Sequence, residues 1–217
     1  MSDGSSSVEL VLNKLLDGIR QGRYVPGQRL VAGDVARELN VSRAPVREAI
    51  HLLAGEGVVE LTPNQGARIV CLTAMDLIHG MLLLKAVGAL GIEYACPLMS
   101  QPANRSAVKA KAKEVFEAGG TRQPYPWFTG LIELHRLFNT ISGNPYLNLQ
   151  VFGRLHLVYF NRALSEKLPG RHWEKYVANY HQIVELVLAG DARKAVAAFN
   201  SHMTWAIDGL RKEYLAD

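Results

Sequence analysis

The sequence predicts a mainly α-helical protein, in which an N-terminal winged helix-turn-helix domain is followed by an antiparallel bundle of six to seven helices. Two observations lead to this fold class. Three short amphipathic segments precede a pair of alternating segments before residue 72, and beyond that point apolar residues recur at helical spacing. We therefore expect a disordered tail at residues 1–7, a winged domain at 8–71 and a helical domain at 72–217.

The composition is that of an ordinary globular protein. Of 217 residues, 48% are hydrophobic and 20% are charged, which provides enough apolar material for a core. The net charge of +4 permits a polyanionic partner but does not require one. Two cysteines without a Cys-x-x-Cys pair fit a reducing compartment. Residues 1–7 lack the basic flank and apolar run of a signal peptide, so we expect a cytoplasmic protein.

The first domain is predicted element by element from apolar spacing and turn residues. Its expected elements are a helix from Val8 to about Gly22, a turn at Pro26–Gly27, a helix at about 33–39, a tight turn at Asn40–Val41, a helix at 43–54, and strands at 58–61 and 67–70 joined by a turn at 63–66. Three helices followed by a two-stranded hairpin form a winged helix-turn-helix. In that motif the helix after the turn enters the major groove of DNA.

The helix that begins after Ser42 carries the residues expected to contact DNA. Arg43 and Arg47 stand four positions apart and share one helical face, and a guanidinium suits both phosphate oxygens and guanine edges. The predicted DNA-binding residues are Ser42, Arg43, Ala44, Pro45, Arg47, Gln65, Gly66 and Arg68. The alternative is that Arg43 and Arg47 lie on an ordinary solvent-exposed helix face that binds nothing. Residues 8–70 contain eight Lys or Arg and seven Asp or Glu, so a DNA footprint must come from local placement rather than from net charge.

This part of the sequence resembles the DNA-binding half of GntR-family bacterial transcription regulators. The resemblance rests on the strings Pro26-Gly27-x-x-Leu30, Val41-Ser42-Arg43-x-Pro45-Val46-Arg47-Glu48-Ala49-Ile50 and Leu52-x-x-x-Gly55-x-Gly57-Val58. It implies a homodimer that binds a palindromic operator in double-stranded DNA. The sequence departs from the family at Ala32-Gly33, where members often carry polar or charged residues.

The remainder of the chain is predicted to be helical. Its expected helices are Met75–Cys96, Ala103–Ala118, Trp127–Ile141, Tyr146–Lys167, His172–Leu188 and Ala192–Tyr214, with a loop at 121–126. Short connections between such helices predict an antiparallel bundle. The segment Met81–Met99 is apolar enough to suggest a membrane span. Because Lys85 and Glu93 interrupt it and Pro97 lies within it, we expect a buried helix and no membrane partner.

Three histidines, His135, His181 and His202, lie on the predicted apolar faces of three different helices. A single histidine on such a face is usually a hydrogen-bonded core residue. Three that converge in one pocket could bind a divalent metal through neutral imidazoles. Zinc is the favoured ion, with nickel or manganese as alternatives.

The helical half resembles the effector-binding domain, called FCD, of the FadR branch of the same family. The matching residues are His135 with Ser142-Gly143-Asn144-Pro145, and His181 with Gly190-Asp191, Ala195 and His202. The resemblance implies a metal held by one aspartate and three histidines, with the aspartate one turn before the first histidine. Leu131 occupies that position here. It also implies a small carboxylic acid as effector, with candidate contacts Lys85, His135, Arg154, Asn161, His181 and His202.

We therefore expect a ligand-responsive, DNA-binding transcription regulator, with repression relieved by the effector as the commoner behaviour of the family. Effector binding would shift the population between DNA-competent and incompetent states. Two other hypotheses stay open: a metal-dependent hydrolase that uses the three histidines, and an architectural DNA binder without a ligand. The hydrolase hypothesis lacks a carboxylate within one turn of a histidine on its inward face to act as a general base. We accordingly expect no enzyme activity.

Overall fold

The computed structural model describes residues 7–62, 66–148 and 172–214. These residues fall into two compact units, one ending at Leu72 and the other beginning at Thr73. Each unit has its own buried apolar residues. The predicted mainly α-helical fold is confirmed, since helices supply most of both cores and the described strands form one small sheet in the first unit.

The first unit contains helices and short strands in the predicted order. They are α1 (Ser7–Arg20), β1 (Arg29–Leu30), α2 (Ala32–Leu39), α3 (Arg43–Gly55), β2 (Val59–Thr62) and β3 (Gly66–Ile69). The three helices and the hairpin agree with the prediction. The sequence does not predict β1, because two residues are too few to show the alternation of a strand.

The sheet of the first unit is three-stranded, with the order β1-β3-β2 and antiparallel pairing throughout. The wing therefore has β3 at its centre, whereas the sequence predicts two strands. Because side chains alternate along β3, Ala67 and Ile69 are buried in the core while Gly66 and Arg68 are exposed. The exposed side chain of β3 is therefore that of Arg68.

A tight turn joins α2 to α3. Asn40 closes α2 in the left-handed conformation, with φ 53° and ψ 48°, which asparagine tolerates better than most residues. The amide of Val41 then donates a hydrogen bond of 3.0 Å to the carbonyl of Ala36. α3 packs against α1 and α2. The residues that it buries are Pro45, Val46, Ala49, Ile50 and Leu53.

The second unit is built from long helices. They are, with two 3₁₀ turns, α4 (Ala74–Ala95), a turn at Cys96–Ser100, α5 (Pro102–Gly120), α6 (Pro124–Ile141), a turn at Pro145–Asn148, α7 (Trp173–Leu188) and α8 (Ala192–Tyr214). The loop expected at 121–126 is shorter than predicted, because Pro124 and Pro126 form the first turn of α6, where no N–H donor is needed. The predicted helix Tyr146–Lys167 lies outside the described residues, apart from its first residues in the 3₁₀ turn.

α4 is held at its start by a capping box and along one face by close packing. The amide of Thr73 donates to Asp76 Oδ2 over 2.8 Å, and Thr73 Oγ1 accepts from the amide of Asp76 over 3.1 Å. The helix packs against α6 and α8. Glycines allow this approach: a Cβ at Gly91 would lie 2.1 Å from Oδ1 of Asn139, and one at Gly88 would lie 2.7 Å from the ring of Phe199.

The opposite face of α4 carries an exposed apolar surface, which we call the α4 stripe. Its members are Met75, Leu82, Leu83, Ala86, Leu90 and Tyr94, and the last four recur at intervals of three to four residues. The segment Ala74–Ser100 is long and apolar enough to cross a membrane by length and composition alone, and 39% of its most apolar window is buried. Packing against α6 and α8 identifies α4 as a core helix on one side. The expectation of a buried helix therefore holds for that face only.

Candidate functional site

α3 presents two arginines near its N-terminal end. Arg43 is the first residue of the helix, Arg47 lies one turn later, and both side chains are exposed. Within the described part of the chain neither guanidinium forms an ion pair or a hydrogen bond. The guanidinium of Arg43 lies beside α2, where a Cβ at Gly33 would be 3.5 Å from Nε. Both cations are available to an anion, next to the positive end of the helix dipole.

The other residues predicted at the start of α3 differ in what they can reach. Ser42 occupies the N-cap position, yet within residues 7–62 its hydroxyl makes no capping hydrogen bond, so the hydroxyl is available to a phosphate. Ala44 is exposed. Pro45 is buried, which corrects its assignment as a DNA contact. Its ring shapes the first turn of the helix and packs in the core instead.

The exposed face of the wing places two more arginines together. Arg68 on β3 faces Arg29 on β1 in register, and its guanidinium donates a hydrogen bond of 2.6 Å to the carbonyl of Gly27. A Cβ at Gly66 would lie 3.7 Å from Nε of Arg29, so that side chain reaches the end of the hairpin. Gln65 lies outside the described residues. The structure thus adds Arg29, which the sequence does not predict, to the cations of the wing.

A second cluster of polar side chains lies inside the helical unit, where α6, α7 and α8 meet. We call His135, Tyr180 and His202 the His-Tyr-His cluster. The hydroxyl of Tyr180 lies 3.2 Å from Nε2 of His135, and the Tyr180 ring packs edge-on against His202 with centroids 4.8 Å apart. Nδ1 of His202 lies 3.0 Å from Nδ2 of Asn179. Because an amide nitrogen can only donate, His202 carries its proton on Nε2.

Burial keeps the His-Tyr-His cluster uncharged near neutral pH. Desolvation lowers the pKa of His202 to about 3, with smaller contributions from nearby His135 and Lys175, and it lowers the pKa of His135 to about 4. The same effect raises the pKa of the Tyr180 hydroxyl above its usual value. The cluster therefore presents two neutral imidazoles and a protonated phenol.

Acidification is expected to destabilise the helical unit through these two histidines. The unfolded chain takes up protons as the pH falls below the ordinary histidine pKa of 6.5, whereas the folded chain does not until about pH 4 or lower. The stabilisation from these groups is therefore complete above pH 6.5 and is lost as the pH falls towards 4. By about pH 5 the loss is roughly 2 kcal/mol for each histidine, or about 4 kcal/mol for the pair. Urea unfolding followed by circular dichroism at several pH values measures this loss. His202→Gln should show a smaller loss, and an unchanged pH dependence in that variant would contradict the assignment.

His181 does not join the cluster, which corrects the predicted convergence of three histidines. Its side chain is exposed on α7, and its ring stacks on Phe116 of α5 with centroids 3.5 Å apart and an interplanar angle of 15°. The residues that α7 buries are Trp173, Tyr176, Tyr180, Ile183, Val184 and Val187. Since adjacent residues on a helix point about 100° apart, Tyr180 faces inward where the sequence predicts His181.

The donor atoms of the His-Tyr-His cluster do not fit a divalent metal. Two imidazoles and a phenol supply neither a carboxylate nor a thiolate, and Leu131, one turn before His135, is buried. Within residues 7–62, 66–148 and 172–214, no group of three or more His, Cys, Asp or Glu side chains could hold an ion. The prediction that His135, His181 and His202 together form a metal site is therefore not supported.

The remaining predicted effector contacts lie either away from the His-Tyr-His cluster or outside the residues that the structure describes. The ammonium of Lys85 donates a hydrogen bond of 2.7 Å to the hydroxyl of Thr204 at an exposed position, so it does not point into the core. Arg154 and Asn161 lie outside the described residues. Of the six predicted contacts, His135 and His202 are the two that the structure brings to one site.

Tyr180 is the functional candidate that the sequence analysis misses. A signal for it exists, because Tyr176, Tyr180, Ile183 and Val187 recur at intervals of four, three and four residues and form a stripe on α7 that includes two tyrosines. The competing stripe, which leads to the prediction of an inward His181, consists of Val177, His181, Val184 and Leu188. It has the same spacing and is rotated by one residue. Periodicity alone cannot decide between two such faces when both are apolar.

Comparison with known families matches both units. Residues 8–69 match the model of the bacterial regulatory proteins of the gntR family, and residues 82–204 match the FCD domain. An uncharacterised helix-turn-helix transcriptional regulator of Bacillus subtilis, YdhC, is 37% identical over 174 residues, which cover 78% of this chain and 75% of that protein. A second such regulator, encoded in an unstable DNA locus of Streptomyces ambofaciens, is 28% identical and covers 97% of this chain and 88% of its own length.

Solved structures have the same fold. A transcriptional regulator described as GntR from Rhodococcus sp. RHA1 superimposes with a TM-score of 0.75 at 22% identity, covering 97% of this chain and all of that one. Escherichia coli McbR/YncC superimposes with a TM-score of 0.74 at 18% identity, over 97% of this chain and 99% of its own. At identities of 18–22%, this similarity shows a shared fold only.

Proposed function

We propose that this chain binds an operator as a homodimer and that a ligand controls this binding. The chain belongs to the GntR family of bacterial regulatory proteins and is a transcription regulator with an FCD domain. Its family and relatives are regulators rather than enzymes, so the hydrolase hypothesis is set aside. The observation that carries the proposal is the pair Arg43 and Arg47, exposed at the N-terminal end of α3 directly after the tight turn.

We assign the main contact with DNA to α3 and a second contact to the wing. With α3 in the major groove, Arg43 and Arg47 can each form paired hydrogen bonds to guanine or to phosphate. The hydroxyl of Ser42 and the helix N-terminus favour a phosphate beside them. Arg29 and Arg68 on the wing supply a further contact with the DNA backbone. Because the unit is nearly neutral overall, these few cations must provide most of the attraction.

A second copy of the chain is the partner that we propose for the α4 stripe. Helix-turn-helix dimers place two recognition helices on half-sites about 34 Å apart, which requires a stable two-fold contact. A two-fold interface uses the same surface of both copies. The α4 stripe has the required character, because Met75, Leu82, Leu83, Leu90 and Tyr94 are each between 42% and 54% exposed on one helix.

The effector that we propose is a small carboxylic acid bound in the helical unit. The Nε2–H of His202 and the hydroxyl of Tyr180 are donors that a carboxylate can accept, and burial strengthens such hydrogen bonds. Binding there would break the contact between Tyr180 and His135 and shift α7 relative to α6. We propose that this change lowers operator affinity, so that the protein is a repressor released by its effector in the cytoplasm.

Fluorescence anisotropy and thermal shift together test this function. The full chain should bind DNA from upstream of its own gene more tightly than a scrambled duplex. A panel of small carboxylic acids should include one that stabilises the protein, by about 2.7 kcal/mol at a hundred times its Kd, and the same acid should release the DNA. Specific DNA binding without any response to a broad panel would favour the architectural DNA binder instead.

A further inference from the structure

One ring nitrogen of each histidine in the cluster already faces a polar partner. Nε2 of His135 faces the hydroxyl of Tyr180 at 3.2 Å, and Nδ1 of His202 faces Asn179 at 3.0 Å. Nδ1 of His135 is buried without a hydrogen-bond partner among the described residues, and it lies 3.2 Å from where a Cβ of Gly88 would be. That nitrogen therefore faces the backbone of α4 at Gly88, which offers it no side-chain donor or second ligand.

Tyr180 stands where a third imidazole would be needed to bind a metal. Among the described residues of α7, it is the one whose ring packs against both histidines, with centroids 6.1 Å from His135 and 4.8 Å from His202. Leu131, one helical turn before His135, is 5% exposed and supplies no oxygen. Two positions that could complete a four-ligand site thus hold a phenol and an alkyl group.

We propose that Tyr180 replaces a metal in the core of this domain, so that its hydroxyl and ring join α6, α7 and α8 without an ion. The hydroxyl supplies a hydrogen bond to α6, and the ring supplies an edge-on contact to α8. A neutral phenol also avoids the deprotonation that a metal ligand of this kind would require. The inference concerns the core alone and does not depend on operator binding.

Metal titration of the full-length protein tests the inference. Wild-type protein, purified without chelator, should contain far less than one equivalent of zinc, nickel, cobalt or manganese, and these ions should leave its melting temperature unchanged. The double variant Leu131→Asp/Tyr180→His places a carboxylate and an imidazole beside His135 and His202. It should bind about one equivalent of Zn²⁺ or Co²⁺, show the visible absorption of four-coordinate cobalt, and melt at a higher temperature with metal than without.

Matched variants separate this site from incidental binding. Adding His202→Ala to the double variant should abolish its metal response, whereas adding His181→Ala, at the exposed neighbour, should leave it intact. Tyr180→Phe keeps the ring and should melt at a lower temperature without gaining metal. Tyr180→His alone provides the same test with weaker binding if the double variant does not fold.

Two results would overturn the inference. One is a wild-type protein that contains one equivalent of metal and loses it in His202→Ala. The other is a folded variant with Tyr180→His that takes up no metal.

Discussion

Alanine in place of Arg47 is expected to weaken specific operator binding by about 1–3 kcal/mol, and Arg43→Ala by a similar amount. The reason is that each exposed guanidinium at the start of α3 can form two hydrogen bonds to one guanine, and no other group in the described chain competes for it. The loss corresponds to roughly five- to 150-fold in affinity. Fluorescence anisotropy with the operator and with a scrambled duplex, at several salt concentrations, measures it.

The two duplexes distinguish base contacts from phosphate contacts. An arginine that contacts a base should weaken operator binding and leave scrambled DNA nearly unaffected, whereas a phosphate contact should weaken both and reduce the salt slope by about one. Arg211→Ala is the matched control, because Arg211 is an exposed arginine of α8 whose partner is Asp208 at 3.1 Å. Wild-type affinity in both Arg43→Ala and Arg47→Ala would show that α3 is not the recognition helix.

Glutamate at two positions of the α4 stripe is expected to convert the dimer to a monomer. Leu82→Glu/Leu90→Glu would bury four charges in a two-fold interface, at a cost that apolar contacts cannot offset. Both leucines are 42% exposed in the single chain, so its fold should survive the change. Operator affinity should then fall by about 10²–10⁴-fold, because each half-site is bound separately. Sedimentation velocity measures the mass and circular dichroism the helix content.

Leu10→Glu is the matched control for the α4 stripe. Leu10 lies on α1 and is 45% exposed, so the substitution makes the same chemical change at similar exposure outside the stripe. It should leave the mass and the operator affinity unchanged. A double variant that sediments like the wild-type dimer would place the interface elsewhere.

The DNA-binding unit is well predicted by the sequence because independent local signals agree there. Asn40 supplies the left-handed turn, Ser42 occupies the N-cap position before the helix, and the apolar spacing of Val46, Ile50 and Leu53 gives its buried face. β1 is missed because Arg29 and Leu30 form a strand only through pairing with β3, which is distant in sequence. A contact of that kind leaves no local pattern.

The core of the helical unit is less predictable, and α7 shows why. Its two apolar stripes differ by one residue, and the choice between them depends on how the helix packs rather than on its own sequence. The structure buries the aromatic stripe through Tyr180 and exposes His181 against Phe116. The same dependence on packing leaves one face of α4 exposed although nearly all of the helix is apolar.

Hydroxyl-radical footprinting on DNA from upstream of the chain's own gene tests the central claim most directly. A dimer that reads two half-sites through α3 predicts two protected patches of inverted sequence, centred about one helical turn (~10 base pairs) or a multiple apart. Both patches should fade together when the stabilising acid is added. A single patch, or protection no stronger than on scrambled DNA, would contradict ligand-controlled operator binding by a homodimer.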